Sequence, residues 1–185
     1  MQLPSDDVNV FRLYICWLYG SRPFASLPVC KGTDPESEAK HASVQEIFRA
    51  AYRFGNKILD FDFCDMVIDS LCTYAIARNS CAIRSFAEIW RVSAVGSAPR
   101  NLIVDSFLYH SHREWFEPAE ELESEIWQKI VEVYAAHRED GHDLREQQAP
   151  WWKGDMCKYH LHASNEGVCY KKTKDWNQPA KLAES

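Results

Sequence analysis

Apolar positions along this chain recur mostly three and four residues apart, the period of one helix face. In "SDDVNVFRLYICWLYG", Ser5, Asp6 and Asp7 stand as capping residues and Gly20 as a stop. The residues between them are apolar almost all the way round, with Arg12 the main exception. Such a helix is expected to be buried on most sides. Residues 24–29 offer a short strand. The polar run "KGTDPESEAK", residues 31–40, holds Gly and Pro and predicts an exposed loop. Ser43 and Glu46 form a capping box ahead of Val44, Ile47, Phe48 and Ala51, which share one face. Gly55 is expected to end that helix.

The next helix is predicted from about Asp62 to Ala77, with Phe63, Val67, Ile68, Leu71 and Ala75 in phase. Asp60, Asp62 and Asp65 read as residues that cap and start it at its positive end. A shorter helix aligns Phe86, Ile89 and Trp90. Another takes Ser97 as cap and Pro99 in its first turn, followed by Leu102, Ile103 and Phe107. Pro118 is expected to open the last long helix, with Leu122, Ile126, Ile130 and Val133 as its core stripe. Acidic residues at its start and His137 and Arg138 at its end suit the helix dipole. The pattern predicts a mainly α fold, a bundle of about six helices with a small Cys/His knuckle at the C-terminus. The helical body is placed at 1–138, a linker at 139–149, the knuckle at 150–171 and a tail at 172–185.

The chain's formal net charge of −6 disfavours a nucleic-acid partner, because such binding starts from a basic footprint. The longest apolar run, "FRLYICWLYG", is too short to span a bilayer and carries Arg12. No basic stretch precedes an apolar core at the start, so no secretory signal is read. Seven cysteines, an odd number, are then expected as reduced thiols in an intracellular compartment, nuclear or cytoplasmic.

Chemistry concentrates in "CKYHLHASNEGVC", Cys157 to Cys169. Seven Cys and seven His scattered over 185 residues would place roughly one in such a window, yet four fall here. In an extended segment His160 and His162 share a face, with Tyr159 and Leu161 on the other. Asn165 and Gly167 supply a turn that folds Cys169 back. Cys157, His160, His162 and Cys169 together suit a closed, structural zinc site. A disulfide between the two cysteines, or two free thiols beside surface histidines, are the other readings. His110 and His112 share the spacing but lack a nearby Cys, and are expected to be exposed and unliganded. No phosphate loop, nucleophile elbow or H-E-x-x-H helix appears. Cys16, Cys64 and Cys72 fall on apolar helices and read as core residues. Trp151 and Trp152 are expected to pack the knuckle onto the body.

Four stretches in order, "DDVNVFRLYICWLYG", "IFRAAYRFGNKILDFDFCDMVIDSL", "SAPRNLIVDSFLY" and "CKYHLHASNEGVC", resemble the later part of fungal BTB/POZ-domain proteins. The matching residues are Tyr52, Gly55, Asn56 and Lys57; Phe63, Asp65, Val67, Ile68 and Asp69; and Cys157, Tyr159, His160, His162 and Cys169. The third stretch is similar to an L-R-x-L-x-V-D helix, with Pro99 where the family tends to have Leu. The resemblance implies a non-catalytic protein-interaction module, a scaffold or substrate adaptor. Its partner would be a cullin-type scaffold or a second copy. The family's N-terminal half, which builds most of the usual dimer surface, would lie upstream of residue 1. Some of Phe11, Tyr14, Trp17 and Leu18 are therefore expected to be exposed as a partner-binding patch. Two other functions compete. One is a zinc-dependent enzyme with the knuckle as an open site. The other is a nucleic-acid-binding regulator that uses the knuckle and the basic residues after it.

Overall fold

The computed structural model describes residues 7–29, 32–78, 83–110, 123–139, 156–164 and 167–173. Six helices of ten residues or more make the body: α1 (Val8–Leu18), α2 (Pro35–Ile58), α3 (Phe61–Arg78), α4 (Ile83–Val92), α5 (Ala98–His110) and α6 (Ser124–Glu139). A 3-10 turn (Cys157–Tyr159) and two single-turn helices, α7 (Leu161–Ser164) and α8 (Tyr170–Thr173), complete it. The mainly α expectation holds, and no strand occurs among the described residues. Residues 24–29 form turns and irregular backbone, not a strand.

The helix boundaries follow side-chain caps. Asp7 accepts the Asn9 amide at 2.8 Å and starts α1, as its sequence position predicts. Helix α2 begins earlier than the capping box proposed. Asp34 accepts the Ser37 amide at 3.0 Å and Pro35 takes the first turn, so most of the expected loop is helical. Ser43 lies inside the helix and returns its hydroxyl to the Ala39 carbonyl. Gly55 also lies inside it. The helix ends at Ile58, and Leu59 takes the left-handed cap with φ 60°.

Gly55 serves a close approach between helices. A Cβ there would stand 2.8 Å from the Cys64 sulfur and 2.8 Å from the Phe63 ring. Both of those side chains are fully buried on α3. The turn at Leu59 and Asp60 folds α3 back along α2, and Asp60 caps α3 by accepting the Phe63 amide at 2.9 Å. The Tyr14 hydroxyl donates to the other Asp60 oxygen at 3.0 Å, which ties α1 to the same turn. Helix α4 rests on α2, with a Tyr52–Ser93 hydroxyl pair at 2.9 Å and Asn56 donating to the Val92 carbonyl at 3.2 Å.

Helix α3 carries an unbroken buried run from Phe63 to Ile68. Such a helix must be covered on opposite sides. Helix α2 covers one, and the C-terminal elements α7 and α8 cover another. Met156, Tyr159, Leu161, Cys169 and Tyr170 join the same hydrophobic core as the long helices. The knuckle is thus a wall of the body.

Two other expectations need correction. Helix α1 is buried on one side only, through Val10 and Trp17, because α2 and α3 offer a single face to it. Cys16 therefore lies exposed, while Cys64 and Cys72 are buried as expected. On α6 only Ile126 is buried; Ile130 and Val133 are half-covered, since α5 meets the start of that helix. Pro118, Leu122, the 140–149 stretch, Trp151, Trp152 and His112 lie outside the described residues. No helix among those described is long and apolar enough to cross a membrane.

Gly55→Ala tests the close approach of α2 and α3. Overpacking costs about 1–3 kcal/mol, and Ala returns about 1 kcal/mol of helix propensity. Urea denaturation should show a net loss of up to about 2 kcal/mol; a raised midpoint contradicts the packing.

Candidate metal centre

The residues around the knuckle are placed by three short backbone pieces. Cys157 opens the 3-10 turn, whose bonds run from the Tyr159 amide to Met156 and from the His160 amide to Cys157. His160 is extended (φ −85°, ψ 147°), and His162 sits in the one-turn α7. The segment is therefore bent, not the simple extended run that the spacing suggested. The rings still converge, with centroids 5.0 Å apart. Gly167 donates its amide to the His162 carbonyl at 3.1 Å, closing the turn that returns Cys169.

Cys157, His160, His162 and Cys169 each offer a ligand atom, and these atoms all lie within 4.8 Å of one another. They could hold a metal ion. The two sulfurs are 3.9 Å apart. A tetrahedral ion with metal–sulfur bonds of about 2.3 Å would set them about 3.8 Å apart, so this edge needs almost no adjustment. The Cys169 sulfur is also 3.9 Å from His160 Nδ1. Burial, and then the adjacent Cys169 thiol, push the Cys157 thiol up. A cation among the four atoms reverses that balance and favours both thiolates.

The histidines are aimed from behind. His160 Nε2 donates to Asp69 Oδ1 at 3.0 Å, which leaves Nδ1 facing Cys169. His162 Nδ1 meets Asp65 Oδ2 at 3.0 Å, which leaves its Nε2 for an ion. Each imidazole thus has one nitrogen held by a carboxylate and one free to coordinate. That is the usual support for a metal-binding histidine. Asp65 also accepts the Leu161 amide at 2.6 Å, so it fixes the backbone between the two rings.

The carboxylates differ in their balance. Burial pushes the Asp65 carboxyl up, against the opposing pull of His160, the Leu161 amide and His162. Burial acts on Asp69 in the same direction, but His160, Lys171 and Tyr170 outweigh it and hold Asp69 below the usual range. Lys171 Nζ is 2.7 Å from Asp69 Oδ2, and the Tyr170 hydroxyl donates to that oxygen. Burial, with Asp69 close by, raises the Tyr170 hydroxyl, which keeps it a donor.

A third carboxylate comes from α5. Asp105 Oδ2 accepts the Tyr159 hydroxyl at 2.6 Å and Lys158 Nζ at 2.8 Å. Asp65, Asp69 and Asp105 therefore receive the C-terminal segment from two different helices. Sequence reading missed this role. Asp60 does cap α3, but Asp65 lies a full turn further in and is completely buried. The signal was available: Asp65 and Asp69 stand four apart inside an apolar helix, and buried carboxylates need partners.

The predicted partner-binding residues divide. Phe11 and Leu18 are 41% and 50% exposed. Tyr14 is half-buried and packs edge-on against Phe63, with centroids 5.1 Å apart. Trp17 is buried, not exposed, because its indole packs on Tyr170 with centroids 5.3 Å apart. Helix α1 thereby touches the knuckle directly.

No protein-family model, no curated protein and no solved structure matches this chain.

Asp69→Ala should weaken metal affinity by about 10–100-fold in competition with a chromogenic chelator, because His160 loses its anchor. Asp60→Ala should leave affinity unchanged and cost about 2 kcal/mol of stability, from the lost cap and the lost Tyr14 hydrogen bond. Equal affinities for the two variants would remove Asp69 from the centre.

Proposed function

We propose that this chain is a non-catalytic protein-interaction module of the fungal BTB/POZ type, closed at its C-terminus by a structural zinc ion. One observation carries the reading. The acids within the motifs that bear the resemblance, Asp65, Asp69 and Asp105, are the ones that bond Tyr159, His160 and His162 of the C-terminal motif. Motifs separated by roughly ninety residues in the sequence meet as one unit. That is what a shared architecture requires of them.

Zinc is the ion this donor set favours. Two thiolates and two imidazoles match its tetrahedral preference and leave no position for water. A ligand set without an open position supports a structural role over a catalytic one. His160 and Cys169 are buried, which puts much of the centre beyond the reach of a bulky substrate. The same burial, with a net charge of −6, speaks against the nucleic-acid reading. The partner surface fits the outer side of α1 and its C-cap, where Val8, Phe11, Leu18 and Tyr19 are exposed. A cullin-type scaffold or a second copy would dock there.

Elemental analysis of purified, reduced protein should find one zinc per chain, and chelation should lower the Tm. Absence of bound metal contradicts the zinc closure. For the partner surface, calorimetry against a cullin-type scaffold and sedimentation for self-association should both use wild type and a Phe11→Ser/Leu18→Ser variant. Association lost in the variant with zinc retained supports the reading. Association by neither route, or association equal in both proteins, contradicts it.

A further inference from the structure

The centre holds two thiols of unlike exposure within one approach of each other. Cys157 is exposed and Cys169 is buried, with sulfurs 3.9 Å apart. A disulfide bond needs the sulfurs only about 2 Å closer. The two cysteines also stand on opposite sides of the turn closed by Gly167, so they can approach without moving α3. The histidines keep their own anchors on Asp65 and Asp69 whatever happens to the sulfurs.

We infer that the centre is an oxidation-sensitive latch, in which a peroxide converts Cys157 and Cys169 to a disulfide and expels the metal. The inference rests on the zinc reading above. Cys157 is placed to react first, since reactive thiolates must be both ionised and accessible. Its thiolate attacks one peroxide oxygen. The O–O bond breaks, Cys157 becomes a sulfenic acid, and hydroxide leaves and takes a proton to become water. The Cys169 thiolate then attacks the Cys157 sulfur. The S–O bond breaks, and the second hydroxide leaves and is protonated. Two thiolates lose two electrons, one peroxide gains them, and two protons are consumed. Zinc, left with two imidazoles, departs as Zn2+.

Among the described thiols Cys157 alone combines exposure with a resolving partner at hand. Cys64 and Cys72 are buried on α3, and Cys16 is exposed on α1 and does not belong to the four-residue cluster. The latch would thus be reversible, since a dithiol reductant restores both ligands. Because the knuckle forms a wall of the core, loss of the ion should loosen α7 and α8 on α3 without unfolding α2 or α4.

The test uses zinc-loaded full-length protein with hydrogen peroxide as the probe. Released zinc is followed with a chromogenic chelator, and disulfides are mapped by mass spectrometry. The expected result is one zinc released per peroxide consumed, a Cys157–Cys169 disulfide, and recovery with dithiothreitol and added zinc. A Cys16→Ser variant should release zinc at the same rate. Zinc retained while Cys16 oxidises overturns the latch and leaves the zinc reading standing. Release that yields a sulfinic acid at Cys157, or a disulfide to another cysteine, overturns it too. Reduced protein that binds no zinc at all overturns the zinc reading, and the latch with it.

Discussion

A buried carboxylate, Asp65, and a partly buried one, Asp69, organise this molecule from α3. Asp65 and Asp69 lie one helical turn apart on a helix whose other buried residues are mostly apolar. A carboxylate in such a place must find donors or lose its charge. The C-terminal segment supplies them: two imidazoles, two backbone amides, the Tyr170 hydroxyl and the Lys171 ammonium. Docking of that segment and satisfaction of the acids are the same event. Asp105 on α5 repeats the device for Tyr159 and Lys158.

The packing of the body follows from this demand. Helix α3 can be buried through Phe63–Ile68 because α2 approaches closely at Gly55 and because the knuckle covers another side. Helix α1 is held at both ends of the same system. Tyr14 bonds Asp60 at the turn into α3, and Trp17 meets Tyr170 in α8. The two ends of the described chain are therefore coupled through one aromatic contact. A metal ion at the four ligand atoms would strengthen the coupling. It would join Cys157 and Cys169, which flank the docked segment, to histidines already fixed on α3.

Much of the helical frame was legible in the sequence because three- and four-residue spacing reports burial directly. Phe86, Ile89 and Trp90 are all buried as the spacing indicates, and so are Leu102, Ile103 and Phe107. Boundaries set by local chemistry were harder. Asp34 and Pro35 outcompeted the Ser43 capping box, and a glycine that looked like a stop was a packing contact. The four candidate ligand residues were legible from clustering alone. Their support was not, since Asp65 and Asp69 lie more than ninety positions away and look like ordinary helix acids. Trp17 was misread for the same reason. Its cover, Tyr170, comes from the far end of the chain, which no local pattern reveals.

X-ray absorption at the zinc edge of the reduced, zinc-loaded protein tests the central claim most directly. A closed centre built from Cys157, Cys169, His160 and His162 predicts two sulfur neighbours at about 2.3 Å and two nitrogen neighbours at about 2.0–2.1 Å. Oxygen in the first coordination sphere, or fewer than two sulfurs, would contradict it.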